Sequence, residues 1–185
     1  MTIKNLGKLS QQELDLTKAW LKRIDPLMQI SPSTYAKGRR EISLRNTVEL
    51  VSAKSGKPSK IEPISPQRQL ILKSEQVELI GERLLPKFDQ ALILHYPPGT
   101  EIKKHADSPA YAKGAASINV IGEATFSLYS WGDEKFLESI NLTEGDCISF
   151  DNKQPHSVSP VKSDRWCICF FYLKELQAPA QLSLF

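Results

Sequence analysis

Two histidines and an aspartate in this chain have the residue types and spacing of a metal site. The stretch HYPPGTEIKKHAD offers His105 and Asp107 with one residue between them. The stretch GDCISFDNKQPHSVSPVKSDRW offers His156, with Arg165 nine residues further on. Positions i and i+2 of an extended strand project to the same side, so His105 and Asp107 can point into one space. Two imidazoles and one carboxylate occupy one face of an octahedral Fe(II) and leave three positions open. Those positions suit a chelating cosubstrate and O2. The expectation is a non-haem Fe(II) oxygenase with His105, Asp107 and His156 as both metal ligands and catalytic centre. Arg165 begins a strand, and its planar fork can hold a carboxylate bidentately. A dicarboxylic keto acid needs one end on the metal and the other on such a cation. His95 lies outside the HxD and reads as a packed or hydrogen-bonded histidine.

The elements that must position these groups are short strands. From Phe88 onward the pattern predicts strands at Gln90–Tyr96, Glu101–His105, Ala116–Ile121, Ala124–Tyr129, Lys135–Ile140, Asp146–Asp151, His156–Pro160 and Trp166–Leu173. Turn signals at Pro97-Pro98-Gly99, Ile121-Gly122-Glu123, Trp131-Gly132-Asp133 and Glu144-Gly145-Asp146 separate them. This spacing predicts a jelly roll, a double-stranded β-helix whose two sheets face each other across a pocket. Ahead of it, Ser10 to Ile24 places Leu14, Leu16, Trp20, Leu21 and Ile24 at helical spacing, with a Ser10/Glu13 capping box and Pro26 as the stop. Ser74 to Leu85 predicts a second helix, capped by Ser74 and ended before Pro86. The fold class is therefore mainly β with flanking helices (α+β). Residues 1–87 form the buttress and loops, 88–174 the catalytic jelly roll, and 175–185 a flexible tail.

Composition bounds the function classes. The chain has 185 residues, 41% of them hydrophobic, with a net charge of +3. No apolar run is long enough for a membrane span. Met1 to Asn5 lacks the apolar stretch of a signal peptide, so a cytoplasmic protein is expected. Cys167 and Cys169 lie too close along one strand to form a disulfide framework, which suits reduced thiols. Residues 31–70 carry eight Lys/Arg against three Asp/Glu. Apart from a strand at Thr47–Ala53, they read as loops that can form a substrate lid. Tyr35, Lys37, Arg39, Arg40 and Arg45 can stack on a base and hold phosphates; a solvated surface loop is the competing reading.

The segment ALILHYPPGTEIKKHADSP resembles the entry to the metal site of AlkB-type 2-oxoglutarate/Fe(II) dioxygenases. AASINVIGEATFSL resembles the strand pair that follows it, and LTEGDCISFDNKQPHSV the strand that delivers the distal histidine. The likeness covers residues 88 to 174. It implies Fe(II) and 2-oxoglutarate as cofactors, O2 as cosubstrate, Tyr96 and Arg165 as cosubstrate-binding residues, and a monomer acting on single-stranded or flipped-base DNA. Departures from the family stand at three positions: Leu94 for a usual asparagine, Phe171 for a second arginine, and Pro109 for an acidic residue used in reading the base. The His156–Arg165 interval is similar to that of prolyl-hydroxylase-like oxygenases. Gln181-Leu182-Ser183-Leu184-Phe185 matches the QLSLF form of the bacterial sliding-clamp-binding peptide. Leu184 and Phe185 would fill an apolar pocket on the clamp while Gln181 meets polar groups at its rim. The resemblance thus implies oxidative demethylation of alkylated bases, in DNA repair, by an enzyme recruited by the clamp. A prolyl-type protein hydroxylase is one alternative, and an oxygenase-like binding module without turnover is another.

Overall fold

The computed structural model describes residues 2–44, 72–133 and 135–174, together with the backbone of 48–50 and 61–63. Its elements in chain order are β1 (Lys4–Lys8), α1 (Gln11–Ile24), β2 (Gln29–Ile30), β3 (Arg40–Leu44), β4 (Val48–Leu50), β5 (Ile61–Pro63), α2 (Glu75–Leu84), β6 (Gln90–Tyr96), β7 (Ile102–His105), β8 (Tyr111–Ile121), β9 (Ala124–Tyr129), β10 (Phe136–Leu142), β11 (Asp146–Phe150), β12 (His156–Val158) and β13 (Arg165–Leu173). A seven-stranded sheet in the order β1-β11-β8-β13-β6-β3-β2 faces a four-stranded sheet in the order β10-β9-β12-β7, and β4 pairs with β5 separately. The inter-strand pairings are antiparallel. The architecture is the expected double-stranded β-helix.

β13 shows how alternation builds two cores from one strand. Trp166, Ile168 and Phe170 belong to the core beneath the helices, while Cys167, Phe171 and Leu173 belong to the barrel interior. Burying a large apolar side chain contributes roughly 1.5–3 kcal/mol, so a strand apolar on both faces is anchored from both sides. α1 closes the first core with Leu14, Trp20, Leu21 and Ile24. Its start is the expected capping box: the Glu13 amide donates to Ser10 Oγ at 3.3 Å and the Ser10 amide donates to Glu13 Oε2 at 2.8 Å. Thr17, not Leu16, completes the buried stripe, because a period of 3.6 carries position 17 onto the face of 14 and 21. Leu16 is exposed. α2 presents Val77, Ile80 and Gly81, and Gly81 sits directly on the Phe88 and Phe170 rings.

The N-terminal part departs from the expectation of helices and loops. β1 pairs with β11, and β3 pairs with β6 over Arg40↔His95 to Leu44↔Ala91. These strands extend the large sheet itself. The period-2 pattern of Arg40-Glu41-Ile42-Ser43-Leu44 was masked by its charges, which β6 pairing and a partly buried ion pair accommodate. Likewise β8 begins at Tyr111, ahead of the expected Ala116. Of the strand expected at Thr47–Ala53, Val48–Leu50 is present as β4, and its other residues lie outside the described ones. Arg45 and Gln181–Phe185 also lie outside the described residues. Cys147, Cys167 and Cys169 are all free thiols. Among the described residues, no helix is long and apolar enough to cross a membrane.

Candidate metal centre

The antiparallel pairing of β12 with β7 sets His156 directly opposite His105. Asp107 follows two residues beyond His105, on the loop that leaves β7. One ligand atom from each of His105, Asp107 and His156 lies within 4.8 Å of the others. Asp107 Oδ1 is 3.5 Å from His105 Nε2 and 3.7 Å from His156 Nε2. In each histidine the other ring nitrogen is spoken for. His105 Nδ1 lies 2.9 Å from the Lys103 carbonyl, and His156 Nδ1 lies 2.9 Å from the Gln154 carbonyl. A carbonyl only accepts, so each Nδ1 carries the proton and each Nε2 presents its lone pair to the shared space. That is the tautomer a metal ligand requires.

The electrostatics fit a cation at the same point. Burial works against the ionised Asp107 carboxyl, yet the two imidazoles beside it hold it far below the usual carboxylate range. Burial also works against a charged His156, and Asp107 outweighs it, raising the imidazole above its ordinary value. Phe126 and Phe150 pack on His156 at ring separations of 5.5 and 5.2 Å, which fixes its plane. The loop carrying Asp107 is tied to the β11–β12 turn. The Asp107 amide donates to the Asn152 carbonyl at 2.9 Å, and Lys153 Nζ donates to the Ser108 carbonyl at 2.6 Å. Asn152 is fully buried and bridges back to β8, accepting from the Gly114 amide and donating to the Ala112 carbonyl.

In the large sheet, β13 pairs with β6 so that Arg165 stands opposite Tyr96. The Arg165 guanidinium carbon lies 5.1 Å from the Tyr96 ring centroid. Arg165 Nε donates to Asn119 Oδ1 at 2.7 Å, and Asn119 Nδ2 donates to the Gly122 carbonyl at 2.6 Å. Tyr96 Oη and Arg165 Nη1 are sealed from solvent and make no hydrogen bond of normal geometry. Burial raises the Tyr96 phenol well above its usual range, so it is a neutral donor. A buried donor without a partner costs about 1–3 kcal/mol, a cost that a bound carboxylate would remove. The residues present therefore fit both groups the sequence implied, a divalent metal and a dicarboxylic cosubstrate. Asn119 was not singled out from the sequence. Its signal was there: Ser117 and Asn119 put polar groups at i and i+2 of the otherwise apolar, buried stretch Ala115–Val120.

Other residues singled out from the sequence fall in different places. Tyr35 stacks on His105 with ring centroids 5.0 Å apart, and its carbonyl accepts from the Lys103 amide. With Lys37, Lys103 and Glu101 it lines a groove of about 280 Å³. Arg39 is mostly buried on the barrel side, over the Tyr96 ring at 5.9 Å. Arg40, on the opposite face, pairs with Asp25, hydrogen-bonds His95 Nδ1 and lies over Trp166. His95 stacks on Trp166 at 4.5 Å and meets Asp164 at 2.9 Å, as a packed, hydrogen-bonded histidine. Phe171, one of the departures from the family pattern, stacks on Tyr111 at 4.1 Å inside the barrel.

No protein-family model matches the chain, and no curated protein matches it. Solved structures do. A prolyl-4-hydroxylase from Pseudomonas putida superimposes with a TM-score of 0.61 at 12% identity, covering 93% of this chain and 92% of that one. An oxidoreductase of the 2OG-Fe(II) oxygenase family from Burkholderia pseudomallei gives a TM-score of 0.55 at 16% identity, covering 92% of this chain and 84% of that one. The fold is that of the 2-oxoglutarate/Fe(II) oxygenases. Within the same oxygenase fold, the AlkB homologue OsALKBH1 gives a TM-score of 0.57 at 14% identity, covering 91% of this chain and 97% of that one.

Proposed function

We propose that this protein is an Fe(II)- and 2-oxoglutarate-dependent dioxygenase that removes methyl groups from alkylated nucleic-acid bases. One observation carries the enzyme class. Two imidazole Nε2 atoms and a carboxylate converge, and His156 packs on Phe126 and Phe150 of the same buried cluster as Tyr96, where Tyr96 Oη and Arg165 Nη1 are sealed donors without a hydrogen bond. When bound, Fe(II) with 2-oxoglutarate couples O2 to hydroxylation of a C–H bond, with the keto acid leaving as succinate and CO2. His105, Asp107 and His156 would hold the metal facially, and Arg165 with Tyr96 would hold the far carboxylate of the cosubstrate. Phe126 and Phe150 cover the His156 ring with apolar side chains, which would limit water there. On an N-methyl base, the hydroxymethyl product releases formaldehyde and restores the base.

Two features support a nucleic-acid substrate. Tyr35, stacked on His105 and half exposed, offers an aromatic face beside the metal site, with Lys37 and Lys103 in the adjoining groove. Reaching the site would require a flipped or single-stranded nucleotide. Gln181–Phe185 would bring the enzyme to DNA through the sliding clamp. Such a tether, at an effective concentration on the order of millimolar, would compensate for weak intrinsic binding. A prolyl-type protein hydroxylase is the second reading, favoured by the nine-residue interval from His156 to Arg165.

The test presents a single-stranded oligonucleotide carrying 1-methyladenine or 3-methylcytosine with Fe(II), 2-oxoglutarate and air. Mass spectrometry follows methyl loss and succinate together, with His105→Ala as control. Loss of the methyl group in the unmutated protein alone is the expected result. Succinate formed without demethylation would sink the base-repair reading and turn the search to proline-containing peptides. Neither signal in protein with iron bound would leave the non-catalytic module.

A further inference from the structure

Arg39 and Arg40 are neighbours with opposite fates. Strand alternation sends Arg40 to the helix side, where Asp25 and His95 satisfy it. Arg39 goes to the barrel side. Its Nη2 donates to Glu41 Oε2 at 2.7 Å and to Ser31 Oγ at 3.0 Å. Its Nε is sealed from solvent and makes no hydrogen bond of normal geometry, like Tyr96 Oη and Arg165 Nη1, although the guanidinium interacts with the Tyr96 phenol. Arg39 and Arg165 share the Tyr96 ring, at 5.9 and 5.1 Å from its centroid. Two guanidinium groups thus border one aromatic ring, and among the described residues Glu41 is the carboxylate that pairs with either of them. Like charges held in a low-dielectric interior repel, and an anion between them offsets that repulsion. Securing the loop to β3 needs only Nη2, so it does not account for the Nε without a hydrogen bond.

We propose that Arg39 is a specificity-determining residue that, with Arg165 and Tyr96, binds the far carboxylate of the keto-acid cosubstrate. This rests on the 2-oxoglutarate reading above. The role makes Arg39 selective: it acts on a keto acid with a distal carboxylate and is indifferent to one without.

The test is calorimetric titration of the full chain loaded with Mn(II), which prevents turnover, using 2-oxoglutarate and 2-oxobutanoate. In Arg39→Gln the preference for 2-oxoglutarate should shrink by about ten- to a hundredfold, the value of a hydrogen bond to a charged group. Affinity for 2-oxobutanoate should hold within about twofold, since no bond to it is lost. Arg39→Lys keeps the cation without the Nε donor and should lose part of the preference, which covers the case in which the glutamine variant folds poorly. Arg165→Gln is the benchmark. If it abolishes the preference while Arg39→Gln leaves it intact, the assignment of Arg39 is wrong and the 2-oxoglutarate reading stands. Equal weakening of both ligands in Arg39→Gln would make the residue a structural strut and also overturn the assignment. A preference unaffected even by Arg165→Gln would overturn the cosubstrate reading and this inference with it.

Discussion

Truncating Asn119 to alanine should reveal how Arg165 is held in place. Asn119 and Arg165 are 1% and 2% exposed, and the bond between them, Nε to Oδ1, is 2.7 Å long. Removing the carboxamide strands a buried cationic donor, at a cost of about 1–3 kcal/mol, with charged groups at the upper end. Where that cost falls depends on whether the guanidinium moves. If it stays, folding bears the whole loss, and Tm drops by roughly 2–4 °C per kcal/mol for a chain of this size. If it swings toward another acceptor, folding is largely spared. The donor geometry must then be rebuilt when the cosubstrate binds, and Kd rises by up to about a hundredfold. The two losses together should amount to about 1–3 kcal/mol, read by thermal melting and by calorimetric titration of 2-oxoglutarate into the Mn(II)-loaded protein. Asn119→Asp is the sharper variant. A carboxylate at that position neutralises Arg165, in an interaction of up to about 4 kcal/mol at an effective dielectric constant near 20. Cosubstrate binding should then fall at least about tenfold while Tm holds, since an internal anion has taken the cation. Unchanged Tm and unchanged Kd in Asn119→Ala would refute the reasoning.

Gly81→Ala tests the packing of α2 on the sheet. Helix propensity favours alanine by about 1 kcal/mol, but the new methyl would meet Phe88 and lie 2.6 Å from Phe170 Cε1, and overpacking costs about 1–3 kcal/mol. Those rings already meet edge to face at 4.9 Å between helix and sheet, so Tm should fall; a higher Tm would show that they can retreat. Metal affinity should weaken as pH falls, because protons compete for His156 Nε2 and Asp107 raises that imidazole above its ordinary 6.5. In the metal-free protein the sign reverses: the stability from the raised His156 is complete below 6.5 and is lost as pH rises through the folded value. Chelator competition and melting at about pH 6 and about pH 8 check both directions. Deleting residues 181–185 should abolish binding to the sliding clamp in a pull-down and leave Tm unchanged; equal clamp binding by both forms would dismiss the tail.

The local signals were read from the sequence because their physics is local. Ser10 and Ser74 cap α1 and α2 as expected, each accepting from the amide three residues on. Alternation and flanking turns placed β6 at Gln90–Tyr96 and β9 at Ala124–Tyr129, with the observed ends. The residue types of the HxD and the distal histidine pointed to a metal before any strand was paired. Tertiary pairing decided the rest. Nothing near Arg39 distinguishes it from Arg40 or Lys37; only the register of β3 on β6 turns it toward Tyr96, while Arg40 turns away. Asn119 was an ordinary polar residue until β13 settled beside β8 and brought Arg165 to its carboxamide. A chain's periodicity says which side chains share a face. Which face closes over which cation depends on partners far along the chain, held by sheet hydrogen bonds that no short window contains.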